Sequence, residues 1–420
     1  MGRSVWFIRQ ENKIKFFDKV DSFHTADFCS ALDQFERGNS NNLIIDFSRT
    51  IAAYPNGMLP VIASIENLRN QGYKIEVVLP TKPDTRKLFK NVNWAHYLSP
   101  DQYNRSESVH DRHLVTSIFT DNYEQKKVVD SFMDVILRNM ELPKDIITGL
   151  EWSINEITDN VLNHSESDIG GYIQVSTYLK NELIAFAIAD AGKGILRTLK
   201  EGVPSLRTDI QAIGEAVKSG VTRGAEYGQG NGLAGTLKIT TMSGGSFEII
   251  SGRGRILAKL DETKRNQREV SQRYNGTVVC GQIKINKMFS ISEALDFGTG
   301  IKYVPQDIID TQYEMEDSDC LYLKLKDETT GFGSRKSGKQ LRTKLFNLLN
   351  AKPTFPIIID WQGIPVVSSS FADEFIGKAF LELGALSFSA RVRNKGMEDL
   401  IINLIDKAVA QRLVQASDEQ

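Results

Sequence analysis

A glutamate and an asparagine four residues apart, Glu156 and Asn160 in the run Asn155-Glu-Ile-Thr-Asp-Asn160, are the residues of this chain whose types and spacing most directly suggest chemistry. In a helix they share one face, so a carboxylate able to accept a proton stands beside an amide oxygen. Downstream come Asp190-Ala-Gly-Lys-Gly194 and then Gly228, Gly230 and Gly232 ahead of Leu233. Glycine has no Cβ, so its amides can approach a phosphate or a base closely and can turn where φ is positive. Three such elements in this order describe a nucleotide pocket, with Leu233 opening a helix whose first amides favour anions. Each element alone has a plainer reading. Trp152, Ile154, Ile157 and Val161 form an apolar stripe that makes Glu156 and Asn160 the polar side of an amphipathic helix. Gly192 and Gly194 alone are a strand-to-helix turn, and His164 alone is a solvated or hydrogen-bonded histidine at a helix end. Only their joint occurrence selects the nucleotide reading.

The surrounding pattern supplies the scaffold. Residues 122–139 read as one helix, and residues 195–227, with Gly202, Gly214, Gly220 and Gly224, as a segment able to move over a ligand. Toward the N-terminus, helical patterns at 25–35 and 58–70 enclose the short apolar strand Leu43-Ile-Ile-Asp46, and a second strand follows at 74–79. Toward the C-terminus, helical patterns at 338–349 and 371–383 enclose Ile357-Ile-Ile-Asp360. Strands alternating with helices of this length predict α/β domains with largely parallel pairing.

The length of 420 residues suggests about three domains. A hydrophobic fraction of 41% and a charged fraction of 25% are those of an ordinary globular protein able to build a core in each. A formal net charge of −2 argues against a dedicated nucleic-acid or anionic-membrane surface. The charged run 259–273 mixes both signs and reads as a polar hairpin or connecting loop. Cys29, Cys280 and Cys320 lie far apart without Cys-x-x-Cys spacing, which indicates neither a disulfide framework nor a zinc site and points to the reducing cytoplasm. The first residues suggest neither a secretory signal nor myristoylation, and no apolar run reaches the ~20 residues of a membrane span.

Over roughly residues 120–285 the ordered motifs resemble the GHKL ATPase superfamily, which includes gyrase-type, Hsp90-type and histidine-kinase-type ATP domains and the anti-sigma-factor serine kinases. The resemblance implies ATP and magnesium as ligands, with Asn160 as the magnesium ligand and Glu156 as the base that activates the attacking water or hydroxyl. It implies that His164 faces the phosphates and that Asp190 accepts a hydrogen bond from the adenine amino group. Gly192 and Gly194 would shape the base pocket, Gly228, Gly230 and Gly232 would close over the phosphates, and Thr277 would lie near the adenine. Oxygen ligands suit magnesium, and a carboxylate near a γ-phosphate can take up a proton. Arg223 reads equally as a phosphate contact or a solvated lid charge. A phosphoacceptor histidine before the ATP domain is not suggested, because 122–139 contains no histidine and His110 and His113 lie in a short polar stretch.

Both ends resemble the STAS fold of anti-anti-sigma factors, the C-terminal one the STAS-like variety fused to GHKL ATPases. The run from Asp360 to Phe371 overlies that family's strand-loop-helix motif and puts Ser370 at the phosphorylatable position, with Ser369 as its neighbour. The equivalent N-terminal position is Asn56, which cannot accept phosphate, so that copy is read as a dimerisation or sensing module. Helix capping alone accounts for the choice of serine at Ser368 to Ser370, and it is favoured over phosphorylation. The stretch Gly331-Phe-Gly-Ser-Arg-Lys-Ser-Gly338 could hold an anion or be an ordinary loop and cap.

Together these imply an α/β fold (an α+β sandwich): a Bergerat-type ATP domain at 116–288, with a mixed sheet and helices on one face, between STAS-like α/β domains at 1–115 and 289–420. The implied protein is a cytoplasmic regulator with ATPase or serine-kinase-like activity. It would work through a STAS-like or regulatory protein partner, with no nucleic-acid or membrane partner, and is compatible with a homodimer. The alternative is a non-catalytic module in which ATP only shifts a conformational equilibrium.

Overall fold

The computed structural model describes residues 5–106, 114–218, 220, 230–298, 304–315, 318–329 and 331–418. His110, His113, Arg223, Gly224 and Gly228 therefore lie outside the described residues. The fold is mixed α/β with several sheets. By contacts the chain forms two compact units, Met1–Phe132 with Gly149–Val304, and Met133–Thr148 with Pro305–Gln420.

The first unit contains two sheets. In the smaller, β1 (Val5–Ile8), β2 (Lys13–Val20), β3 (Asn42–Ala53) and β4 (Lys74–Val78) lie in chain order, with β1 antiparallel to β2 and the remaining pairs parallel. Helices Thr25–Glu36 and Pro55–Asn70 connect the parallel strands, as a parallel crossover requires. The second helix opens with Pro55, whose fixed φ suits the first helical position.

The larger sheet has seven strands: β5 (Ser117–Phe119), β6 (Gly171–Tyr178), β7 (Leu183–Asp190), β8 (Ser246–Gly252), β9 (Gly254–Lys259), β10 (Glu262–Gln267) and β11 (Tyr274–Lys284), in the order β10-β9-β8-β11-β7-β6-β5. Every pairing is antiparallel. This corrects the expected mixed sheet. The reason is local: β6 joins β7, β8 joins β9 and β9 joins β10 through turns far shorter than the dozen or so residues a parallel crossover needs.

Both faces of this sheet are buried. Ile173, Ile188, Val279 and Ile249 align across four strands on one face, and Tyr172, Ala189, Val278 and Ile250 on the other, and all eight are buried. Helix Gly232–Met242 packs on β8 and β11, whereas the Tyr172 face shares a core with β2, β3 and helix Pro55–Asn70. Strands apolar on both sides must be covered twice, each large buried side chain contributing about 1.5–3 kcal/mol. The run 259–273 forms the exposed edge strand β10 and the turn after it, and its charges guard that edge against pairing.

In the second unit β12 (Leu321–Lys324), β13 (Ile357–Asp360) and β14 (Val392–Lys395) form a parallel sheet in that order. Helix Arg335–Ala351 and the consecutive helical turns from Ser369 to Leu383 supply the crossovers. Residues 133–148 belong to this unit through buried polar groups of that long helix. Asn347 accepts from the Leu142 N–H at 2.7 Å and donates to the Leu137 and Met140 carbonyls. Fully buried Lys344 donates to Asp134 at 2.6 Å and pairs with Glu328. Among the described residues no helix is long and apolar enough to cross a membrane.

Candidate nucleotide site

Helix Lys144–Asn160 is built as its pattern predicts: Leu150, Ile154 and Ile157 are buried, and Glu156 and Asn160 are half-buried on another side. At Asn160 the α-helix gives way to a single π-helical turn, Val161–Ser165, which ends at Glu166 in the left-handed region with φ 49°. Such turns re-aim side chains at helix ends and are frequent at functional sites. The Ser165 hydroxyl closes the turn by donating to the Val161 carbonyl at 2.7 Å.

The carbonyl of Ser165 is also where the second motif docks. It accepts from the Lys193 N–H at 2.7 Å. A Cβ on Gly192 would lie 2.1 Å from that oxygen, so only glycine allows the approach. Thr198 fastens the same region by donating to the carbonyls of His164 at 3.1 Å and Gly194 at 3.2 Å. His164 itself is half-buried.

Asp190 ends β7 and is 3% exposed. Its Oδ1 accepts from the Gly192 N–H at 2.8 Å and the Thr277 N–H at 3.2 Å. Among the described residues, no donor reaches Oδ2. The Asp190 carbonyl accepts from the Tyr274 hydroxyl at 2.7 Å, and a Cβ on Gly276 would lie 2.2 Å from it. Burial pushes the carboxyl up to about 7 despite the two amide donors, which pull the other way. Thr277 thus lies beside Asp190.

Ser251, on β8, carried no motif signal. It accepts from the Ile195 N–H at 2.9 Å and donates to the Gly276 carbonyl at 3.0 Å. Its single proton being spent there, the Thr277 hydroxyl 3.1 Å away is the donor between the two. Ser251 ties the start of the expected lid to the first residues of β11, a role visible only once β8 and β11 are paired.

Glu156 meets the third motif. A Cβ on Gly232, the first residue of helix Gly232–Met242, would lie 2.4 Å from Glu156 Oε2. The helix is seated by the same device one turn on, where a Cβ on Gly235 would lie 2.2 Å from the Trp152 ring. Burial, and secondarily Asp159, push Glu156 up to about 7. Asn231, at the N-cap position, makes no side-chain capping hydrogen bond to the helix, and its side-chain oxygen accepts instead from the Gly220 N–H at 2.9 Å, while Gly230 turns with φ 67°. The described part of 195–227 holds helices Ile195–Leu199 and Asp209–Ala216, with Leu199, Leu206, Ala212 and Ala216 forming a small core of their own.

The structure thus joins Asp190 to Gly192 and Thr277, and Glu156 to Gly232, while Gly194 touches Ser251 and Thr198. The residues present fit the implied ligands. A buried carboxylate whose second oxygen is met by no donor among the described residues suits a base amino group, whereas the closeness that Gly192 permits is taken up by the Ser165 carbonyl itself. Asn160 offers one neutral oxygen, a donor set that suits an ion keeping its waters and phosphate ligands. No cluster of three His, Cys, Asp or Glu able to hold a metal occurs among the described residues. Ser370 stands in the first turn of helix Ser369–Ala372, half-buried, its hydroxyl 3.0 Å from that of Ser368. Ser368 is the cap, accepting from the Phe371 N–H at 3.1 Å. No family model, curated protein or solved structure matches the chain.

Proposed function

We propose that residues 116–288 form a Bergerat-type domain that binds magnesium-ATP and that the chain is a regulatory protein with ATPase or serine-kinase-like activity, its nucleotide state read by STAS-like segments at 1–115 and 289–420. The observation that carries the reading is Asp190, a buried carboxylate held through one oxygen by the Gly192 and Thr277 amides at the junction of the motifs. Its other oxygen would take the adenine amino group. Magnesium would supply charge neutralisation at the phosphates, with Asn160 as its protein ligand. Glu156, held against the start of helix Gly232–Met242, would accept the proton of the attacking water, which its raised pKa makes feasible near neutral pH.

Transfer to water is favoured over transfer to Ser370, because the Ser370 hydroxyl is engaged with Ser368 in a capped turn. The test incubates the protein with magnesium and γ-phosphate-labelled ATP. Free phosphate that disappears in Glu156→Gln supports the ATPase. Label on the protein that disappears in Ser370→Ala would make it a kinase instead. Intact nucleotide binding without either product would leave the non-catalytic gating module.

A further inference from the structure

The second unit carries a cleft of about 500 Å³ lined by Arg335, Lys336, Lys339, Arg342 and Lys378, with Glu374 as its one carboxylate among the described residues. Four of these cations come from the first two turns of helix Arg335–Ala351, a stretch that contains no acid. Like charges three and four residues apart destabilise a helix by about 0.2–0.5 kcal/mol per pair, so this clustering is a local cost in a chain whose net charge is −2.

Glu374 explains the arrangement only in part. It is 3% exposed and accepts from Arg335 at 3.2 Å, pairs with Lys378 and lies 3.8 Å from Arg342, which also pairs with Glu382. Gly338 makes this possible, because a Cβ there would lie 2.8 Å from the Phe371 carbonyl and 3.0 Å from Glu374 Cβ. The buried carboxylate fixes the directions of its neighbours, and among the described lining residues the cations outnumber it. Among the described residues, Lys339 has no carboxylate within ion-pairing distance.

We propose that this cleft binds a small soluble molecule carrying several phosphate groups. Its volume is that of a small-molecule site rather than of a single phosphate ion. Oriented guanidinium and ammonium groups are the donors that recognise phosphate oxygens. Confinement of the charge to two facing helices, around a buried acid, disfavours an extended nucleic-acid backbone. The cleft belongs to the second unit, whereas Asp190 and Glu156 belong to the first, so the two sites are separable by mutation.

The test titrates the full chain with inorganic tripolyphosphate by calorimetry without magnesium. Lys336 and Lys339 are exposed, so Lys336→Gln with Lys339→Gln leaves the fold intact, which its thermal unfolding checks. Removing two charges should weaken binding by about tenfold or more, and the effect should shrink as salt is raised. The matching double change to Arg should restore binding, and Asp190→Asn should leave it unchanged. Absence of tripolyphosphate binding, binding lost in Asp190→Asn, or binding indifferent to the lysine pair would each overturn the proposal. So would binding of duplex DNA or a phosphopeptide without tripolyphosphate.

Discussion

Asp190 is acted on in opposite directions, by burial that favours the protonated acid and by two amides that favour the carboxylate, and burial prevails. Its folded pKa of about 7 exceeds the ordinary 3.8, so the folded state binds the proton more tightly than the unfolded one. The resulting stabilisation is full below the unfolded pKa and is lost as pH rises through about 7. Urea unfolding between pH 4 and 8 should therefore show stability falling by up to a few kcal/mol, on the order set by 1.4 kcal/mol per pKa unit, and Asp190→Asn should flatten the decline. An unchanged pH profile in Asp190→Asn would contradict the burial argument. Glu156 makes a kinetic counterpart. If it is the base, hydrolysis must rise through pH about 7 as the carboxylate forms, and Glu156→Gln must abolish that rise rather than only lower the plateau.

At the scale of elements, two glycines do different work. Gly192 lets the loop after β7 reach a backbone carbonyl that cannot yield, so Gly192→Ala should cost about 1–3 kcal/mol through overpacking and weaken nucleotide binding with it. Gly232 faces the Glu156 side chain alone, most closely its flexible end at Oε2, 2.4 Å from a Cβ built there, and less closely its Cβ at 3.1 Å, and alanine raises helix propensity by up to about 1 kcal/mol. Gly232→Ala should leave the thermal midpoint near that of the parent while lowering hydrolysis, because it displaces Glu156. Equal losses of stability in both variants would mean that the Gly232 contact is structural. The π-helical turn at Val161–Ser165 is the third device, since without it Ser165 would not present its carbonyl to Lys193.

For the whole molecule, periodic elements were legible and long-range ones were not. The patterns at 25–35, 122–139 and 338–349 appear as helices Thr25–Glu36, Asn122–Asn139 and Arg335–Ala351, because apolar spacing is a local property. The hydrogen bond from Thr277 to Asp190, 87 residues apart, has no signal in the local sequence. Ser251 was missed because a lone serine in a strand has no signature until β8 and β11 are side by side. The antiparallel sheet covered on both faces escaped notice since buried strands read alike whatever their direction. The transfer of residues 133–148 to the second unit rests on Lys344 and Asn347, polar residues inside a helix whose partners lie some 200 positions away. The measurement closest to the central claim is calorimetric titration of the full chain with magnesium-ATP and magnesium-GTP, repeated on Asp190→Asn. Saturable binding of ATP in preference to GTP, lost in Asp190→Asn while the fold persists, is the predicted result. Failure to bind ATP, or binding that Asp190→Asn leaves unchanged, would contradict the account.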